Sequence, residues 1–219
     1  MERYGKEQIR MPLVASGDER PPKMLESYEI NDGNLFKGIK RGTVTTDDGI
    51  ILTADNFEYN KILNILQASG NVIVEDTIKN IQIFSENIVY LKNQEIIFGK
   101  KGFKAIDGDT IIKGNEFEYK KIYEILNAKG KVEINNKKDD YQIYSEDISY
   151  FKSDEKFVTK GETIAIVQSV YDFNSEDVTF LKKEMKLFSS KKSTLFDDQD
   201  NFYTFQSFEY FLNKKILKG

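Results

Sequence analysis

A single stretch of sequence, written twice, constrains this chain more than anything else in it. Residues 54–74 read ADNFEYNKILNILQASGNVIV, and residues 115–134 read NEFEYKKIYEILNAKGKVEI. Phe57 matches Phe117, Tyr59 matches Tyr119, Ala68 matches Ala128, Gly70 matches Gly130 and Val72 matches Val132, each pair 60 residues apart. Within each copy Phe57 and Tyr59 share a face opposite Asn56 and Glu58. Leu66, Ala68, Val72 and Val74 share a face opposite Gln67, Ser69, Asn71 and Glu75. Alternation with period two is the mark of half-buried strands, so each copy predicts an antiparallel hairpin turning near Asn60-Lys61.

A shorter period runs inside the longer one. SENIVY (85–90) and SEDISY (145–150) fall midway between copies of the first motif, and an aromatic recurs at Tyr28, Tyr59, Tyr90, Tyr119, Tyr150, Phe180 and Tyr210. The unit is therefore a hairpin of about 30 residues, and a fixed period in that range signals stacked supersecondary units. The expected fold is all-β and elongated: antiparallel hairpins stacked into two facing sheets, from residue 28 to 219. A parallel β-solenoid, such as an adhesin or a polysaccharide hydrolase or lyase, is the alternative that the same period allows. Lys120 to Ala128 (KKIYEILNA) could be read as a helix, but the alternation on either side and the Gly-x-Val that follows decide for strand.

Residues 1–27 differ from the rest. They hold all three prolines (Pro12, Pro21, Pro22), three of the four arginines and no period. They are expected to be a loose leader, without the continuous apolar run of a secretory signal. At the other end, Gly219 stands nine residues past Tyr210, as Gly99 stands nine past Tyr90, so the last unit is expected to be cut within its return strand.

Composition narrows the chemistry. Thirty-two basic and 36 acidic residues leave a net charge of −4, which argues against nucleic acid as a partner. There is no cysteine and no histidine, so thiolate or imidazole metal sites and Ser-His or Cys-His nucleophiles are impossible. The paired aspartates Asp47-Asp48, Asp139-Asp140 and Asp197-Asp198 fall in predicted turns, where Asp bonds the nearby backbone. The repeated Ser-Glu at Ser85, Ser145 and Ser175 predicts strand bends. No catalytic or metal-ligating residue and no cofactor emerges, and a non-enzymatic role is expected.

What remains is the apolar face: Phe57, Tyr59, Leu66, Val72, Val74, Ile88, Tyr90, Phe117, Tyr119, Leu126, Val132, Ile134, Ile148 and Tyr150. Alternation alone leaves two readings open. These residues either pack an ordinary sandwich or line a trough that holds a lipid, with Lys61 and Lys121 near the turns to meet anionic groups at its mouth.

The repeat A-D-x-F-x-Y-(x)-K…L-x-A-x-G-x-V resembles the OstA-like family, which includes the periplasmic lipopolysaccharide-transport proteins LptA and LptC and the N-terminal domain of LptD. The matching residues are Ala54, Asp55, Phe57, Tyr59, Lys61, Leu66, Ala68, Gly70, Asn71 and Val72, then Phe117, Tyr119, Lys121, Leu126, Ala128, Gly130 and Val132. The resemblance covers roughly residues 35–219. It implies a twisted, V-shaped β-jellyroll, open at both ends, in the periplasm of a Gram-negative bacterium. Lipopolysaccharide would be carried with its acyl chains on the apolar inner face named above. Edge-to-edge strand addition would join the chain to LptA- or LptC-like partners. Long acidic connections and the cut unit favour the N-terminal periplasmic domain of an LptD-like outer-membrane assembly protein, with a C-terminal barrel to follow. An LptA-like bridge protein is the alternative.

Overall fold

The computed structural model describes residues 27–30, 34–38, 40–46 and 48–219; all but one residue of the expected leader lie outside them. After β1 (Ser27–Ile30) the chain runs as a series of legs, each crossing from one sheet to the other. The first legs are split midway: β2 (Leu35–Gly38) into β3 (Gly42–Thr45), then β4 (Ile50–Ala54) into β5 (Asn56–Asn60). β6 (Ile65–Asp76) and β7 (Ile81–Leu91) are unbroken. β8 (Ile96–Gly99) with β9 (Phe103–Asp107), and β10 (Thr110–Gly114) with β11 (Glu116–Lys120), are split again. β12 (Ile125–Asn136), β13 (Tyr141–Phe151) and β14 (Lys156–Val167) run through. The remainder is split: β15 (Tyr171–Glu176) with β16 (Thr179–Leu181), β17 (Lys186–Ser189) with β18 (Ser193–Phe196), and β19 (Phe202–Phe205) with β20 (Phe208–Phe211), before β21 (Ile216–Lys218).

Every pairing among the described residues is antiparallel, and the pairings trace two ladders. One passes through β1, β2, β5, the first half of β6, the second half of β7, β8, β11, the first half of β12, the second half of β13, the first half of β14, β16, β17, β20 and β21. The other passes through β3, β4, the second half of β6, the first half of β7, β9, β10, the remaining halves of β12, β13 and β14, then β15, β18 and β19. At about 4.8 Å per strand, fourteen rungs give the first ladder a length of about 60 Å. The architecture is the expected all-β jellyroll of stacked hairpins. The stretches 60–68 and 120–128 form no α-helix; residues 121–123 make one 3-10 turn inside a hairpin loop.

The corner between the sheets explains the repeated motif. In β6 and β7 the register skips between Ser69 and Val72, leaving Gly70, Asn71 and Glu86 unpaired, and Gly130, Lys131 and Glu146 repeat this in β12 and β13. Two extra residues on one strand keep its inner parity, from Ala68 to Val72. One extra residue on the other shifts it, from Ser85 to Ile88. Glu86 and Glu146 of the first two Ser-Glu pairs are thus the bulged residues, whereas Glu176 of the third stays in register opposite Glu162. Gly70 has φ +79°, and a Cβ there would stand 2.7 Å from Oδ2 of Asp55. Asp55 in turn accepts from Asn71 Nδ2 at 2.7 Å and from Arg41 at 2.9 Å. At β4–β5, β8–β9 and β10–β11 the same corner breaks each leg into two strands.

The hairpin turns stack as well. The N–H of Lys92 donates to the carbonyl of Asn64, Lys121 to Glu95, Lys152 to Glu124, Lys182 to Glu155 and Leu212 to Met185, at 2.8–3.2 Å. Each turn on the first sheet therefore satisfies backbone groups of the one before it, and the lip of that sheet is a continuous hydrogen-bonded edge. The first of these turns occupies residues 61–64, its centre two residues beyond the predicted Asn60-Lys61.

Candidate functional site

Register places the inner side chains in rows along the long axis. On the first sheet one row runs Phe36, Tyr59, Leu66, Tyr90, Ile97, Tyr119, Leu126, Tyr150, Phe157, Phe180, Leu187, Tyr210 and Leu217. The facing row on the second sheet runs Val44, Leu52, Val74, Ile83, Ala105, Ile112, Ile134, Ile143, Ala165, Phe173, Leu195 and Tyr203. Neither row is interrupted by a charged or amide side chain. All fourteen residues of the apolar face read from the sequence lie on the inner side; Tyr59 is half-buried and the other thirteen are at most 7% exposed.

The two sheets pack directly on each other. Phe103 meets Phe117 with centroids 5.0 Å apart, Tyr141 meets Phe180 at 4.7 Å, and Phe173 meets Phe208 at 4.7 Å, each contact crossing between sheets. Size is matched within the sheet too. A Cβ at Gly99 would lie 2.6 Å from Cε1 of Phe117 and 2.7 Å from the carbonyl of Asn87. The protein's own side chains fill the interior in this state, so the sandwich reading describes it as it stands.

Opposite the corners, where the lips of the two sheets meet, a periodic polar seam closes the interior. Tyr90 donates its hydroxyl to Asp48, Tyr119 to Asp76 at 2.9 Å, Tyr150 to Asp107 at 2.5 Å and Tyr210 to the side-chain oxygen of Gln168 at 2.8 Å. Each tyrosine comes from the first sheet and each acceptor lies 42 or 43 residues earlier, on the second. Lysines reinforce the row: Lys121 bonds Asp48 at 3.2 Å and Glu95 at 3.3 Å, Lys152 bonds Asp107 at 2.6 Å, and Lys79 pairs with Glu124. Phe180 interrupts the tyrosine series. There Asn136 turns to Thr110 at 3.1 Å, and Lys182 crosses the seam to the same hydroxyl at 3.3 Å.

These contacts set the electrostatics. Burial, then the charge of Asp76, pushes the Tyr119 phenol well above its ordinary value, and burial with the bond to Asp107 does the same for Tyr150. Burial pushes Tyr141 and Tyr210 up to about 12. Burial alone would raise Asp48, but bonds from Thr46, Tyr90 and Lys121 outweigh it and hold the carboxyl below the usual range. Burial likewise works against the charge of Lys121, and its bonds to Asp48 and Glu95 overcome that and raise it. Lys121, expected at the mouth to meet an anion, is 6% exposed and already held by two carboxylates.

Two features escaped the sequence reading. One is the seam, although Asp48, Asp76 and Asp107 follow a near-30-residue spacing that matches the tyrosines. The other is on the outside of the first sheet, where the register row next to the turns includes Ile65, Leu91, Ile96, Ile125, Phe151, Leu181, Phe211 and Ile216. Lys156 lies over Phe151 at 4.4 Å and Lys186 over Phe211 at 5.3 Å, so their stems cover part of this apolar row.

No family model matches the chain, and no curated protein matches it. Among solved structures it is similar to the crystal structure of LptH, the LptA homologous periplasmic component of the conserved lipopolysaccharide transport device from Pseudomonas aeruginosa. The two share 16% sequence identity with a TM-score of 0.45, over 52% of this chain and 86% of that one.

Proposed function

We propose that the chain is a periplasmic carrier of lipopolysaccharide, in which the acyl chains lie between the two sheets and the phosphorylated sugars stay outside. The observation that carries this reading is the pair of unbroken apolar rows on facing sheets, together with the repeated motif that resembles the OstA-like family. An acyl chain gains about 0.8 kcal/mol per CH₂ removed from water, so its site must be a strip and not a point. The rows supply such a strip along the whole axis. Because the interior is filled by its own side chains, the lipid must part the sheets and replace inter-sheet contacts with contacts to itself.

The proposal extends to assembly. Among the described residues β3, β19 and β21 each pair with one neighbouring strand, which leaves backbone donors and acceptors at both ends of the stack. These edges suit strand addition by another OstA-like domain, of the LptA or LptC kind. The same carrier serves as an LptA-like bridge or as the N-terminal periplasmic domain of an LptD-like protein whose barrel spans the outer membrane.

Titration with intact and with fully deacylated lipopolysaccharide tests the reading. Intact lipopolysaccharide is expected to bind and the deacylated form, which keeps every sugar and phosphate, to bind at least a hundredfold more weakly. Equal binding of the two would place recognition on the sugars and remove the apolar interior from the function.

A further inference from the structure

Large apolar side chains stand in water on both lips of the seam, and at the same place along it. Ile122 and Tyr123, at the tip of the turn on the first sheet, are 60% and 67% exposed, and Ile78, at the tip of a turn on the second, is 64% exposed. Nothing in turn geometry requires them. The equivalent turns at 92–95 and 152–155 carry Asn93-Gln94 and Ser153-Asp154 at their tips, whereas the turn at 61–64, the 60-residue counterpart of this one, carries Ile62 and Leu63, 72% and 59% exposed. Between these lips lie the contacts that hold this part of the seam together: Tyr119 to Asp76, and Lys79 to Glu124. The Lys79–Glu124 pair is partly open to water, with side chains 30% and 24% exposed, and such pairs hold weakly. Tyr119 is itself a member of the inner row, flanked in register by Ile97 and Leu126.

We propose that this point is a lateral port, where the seam parts between Asp76 and Tyr119 and admits the acyl chain of an amphiphile sideways into the interior while its head stays in water. The inference rests on the lipid-carrier reading and adds where the lipid crosses into the protein. Ile78, Ile122 and Tyr123 give the chain apolar contact on both lips before it reaches the inner row, so it meets no fully aqueous gap on the way. The two lips then close over it, restoring the hydroxyl–carboxylate contact. Admission through the side leaves the edge strands at both ends free for partners.

The absence of cysteine makes the test direct. Lys79→Cys and Glu124→Cys are joined by a short bis-maleimide, and each single variant capped with a mono-maleimide serves as control, all checked for native circular dichroism. Uptake of two fluorescent probes, lipopolysaccharide and hexadecyl phosphate, is followed by stopped flow. The locked protein is expected to load at least tenfold more slowly than the capped controls, and Tyr119→Phe to load several-fold faster than wild type. Loading of the locked protein at the wild-type rate overturns the port and sends the chain through the open ends, leaving the carrier reading intact. Hexadecyl phosphate blocked by the lock, with no uptake of lipopolysaccharide by wild type, supports the port and removes lipopolysaccharide as the cargo. Uptake of neither probe by wild type overturns both.

Discussion

The hydroxyl of Tyr119 lies 2.9 Å from Oδ2 of Asp76, and both residues are 1% exposed although they sit on opposite sheets. Asp76 uses its other oxygen to accept the N–H groups of Ile78 and Lys79, so one carboxylate starts a turn on its own sheet and fastens that sheet to the other. Replacing Tyr119 with Phe leaves a buried carboxylate oxygen without its donor. The expected loss is about 1–3 kcal/mol of stability by urea denaturation. Tyr203→Phe is the control: its hydroxyl meets Asp197 at 3.4 Å on an exposed site, and its effect is expected to stay within about 0.5 kcal/mol.

Packing inside the first sheet gives a second prediction. Gly99 faces Phe117 in register, and an added methyl would press on both the ring and the backbone carbonyl of Asn87. The ring can shift and the carbonyl cannot without moving a strand. Gly99→Ala is expected to destabilise the fold by about 1–3 kcal/mol. Gly102→Ala differs, because no heavy atom lies within 4 Å of the built Cβ and the cost there comes from φ +94°. A Gly99→Ala variant as stable as wild type would show that the aromatic does not fill the interior as described.

The seam also predicts the pH dependence of stability. Tyr119 and Tyr150 have folded pKa values raised above the phenol's ordinary value near 10. The unfolded chain therefore sheds protons at a pH where the folded protein keeps them. Their contribution is fully present below about pH 10 and is lost as pH rises past it. Asp48 is depressed below 3.8, so its contribution is present above that pH and is lost as pH falls through its folded value. Thermal melts are expected to show a plateau between these limits. The alkaline fall should be shallower in the Tyr119→Phe, Tyr150→Phe double variant, and an identical fall in both proteins would count against the seam.

Much of this fold was legible because a strand encodes its burial locally. The parity of Phe57, Tyr59, Val72 and Val74 is set by neighbours two residues away, and the 60-residue echo in Phe117, Tyr119 and Val132 showed that the pattern was architectural. Ser85-Glu86 and Ser145-Glu146 marked the corners for the same reason. The seam was not legible in the same way. Tyr119 and Asp76 lie on different legs, 43 residues apart, and their meeting depends on how sharply the corner folds one sheet over the other. The fate of Lys121 followed from the same fact: its role at an open mouth was a reading of one lip, and the other lip brought Asp48 to it. The outer apolar row was missed because the sequence reading gave the outer face only its polar residues, such as Gln67 and Glu75.

Site-specific photo-crosslinking to lipopolysaccharide tests the central claim, that acyl chains run between the sheets, most directly. A photoreactive residue is placed in turn at Tyr59, Leu126 and Ile148 on the inner side, and at Glu58, Glu118 and Asn71 on the outer. Capture of lipopolysaccharide from the inner positions and not from the outer ones is the predicted result. Equal capture from both sets, or capture from the outer set alone, would contradict the claim and leave the interior as a packed core.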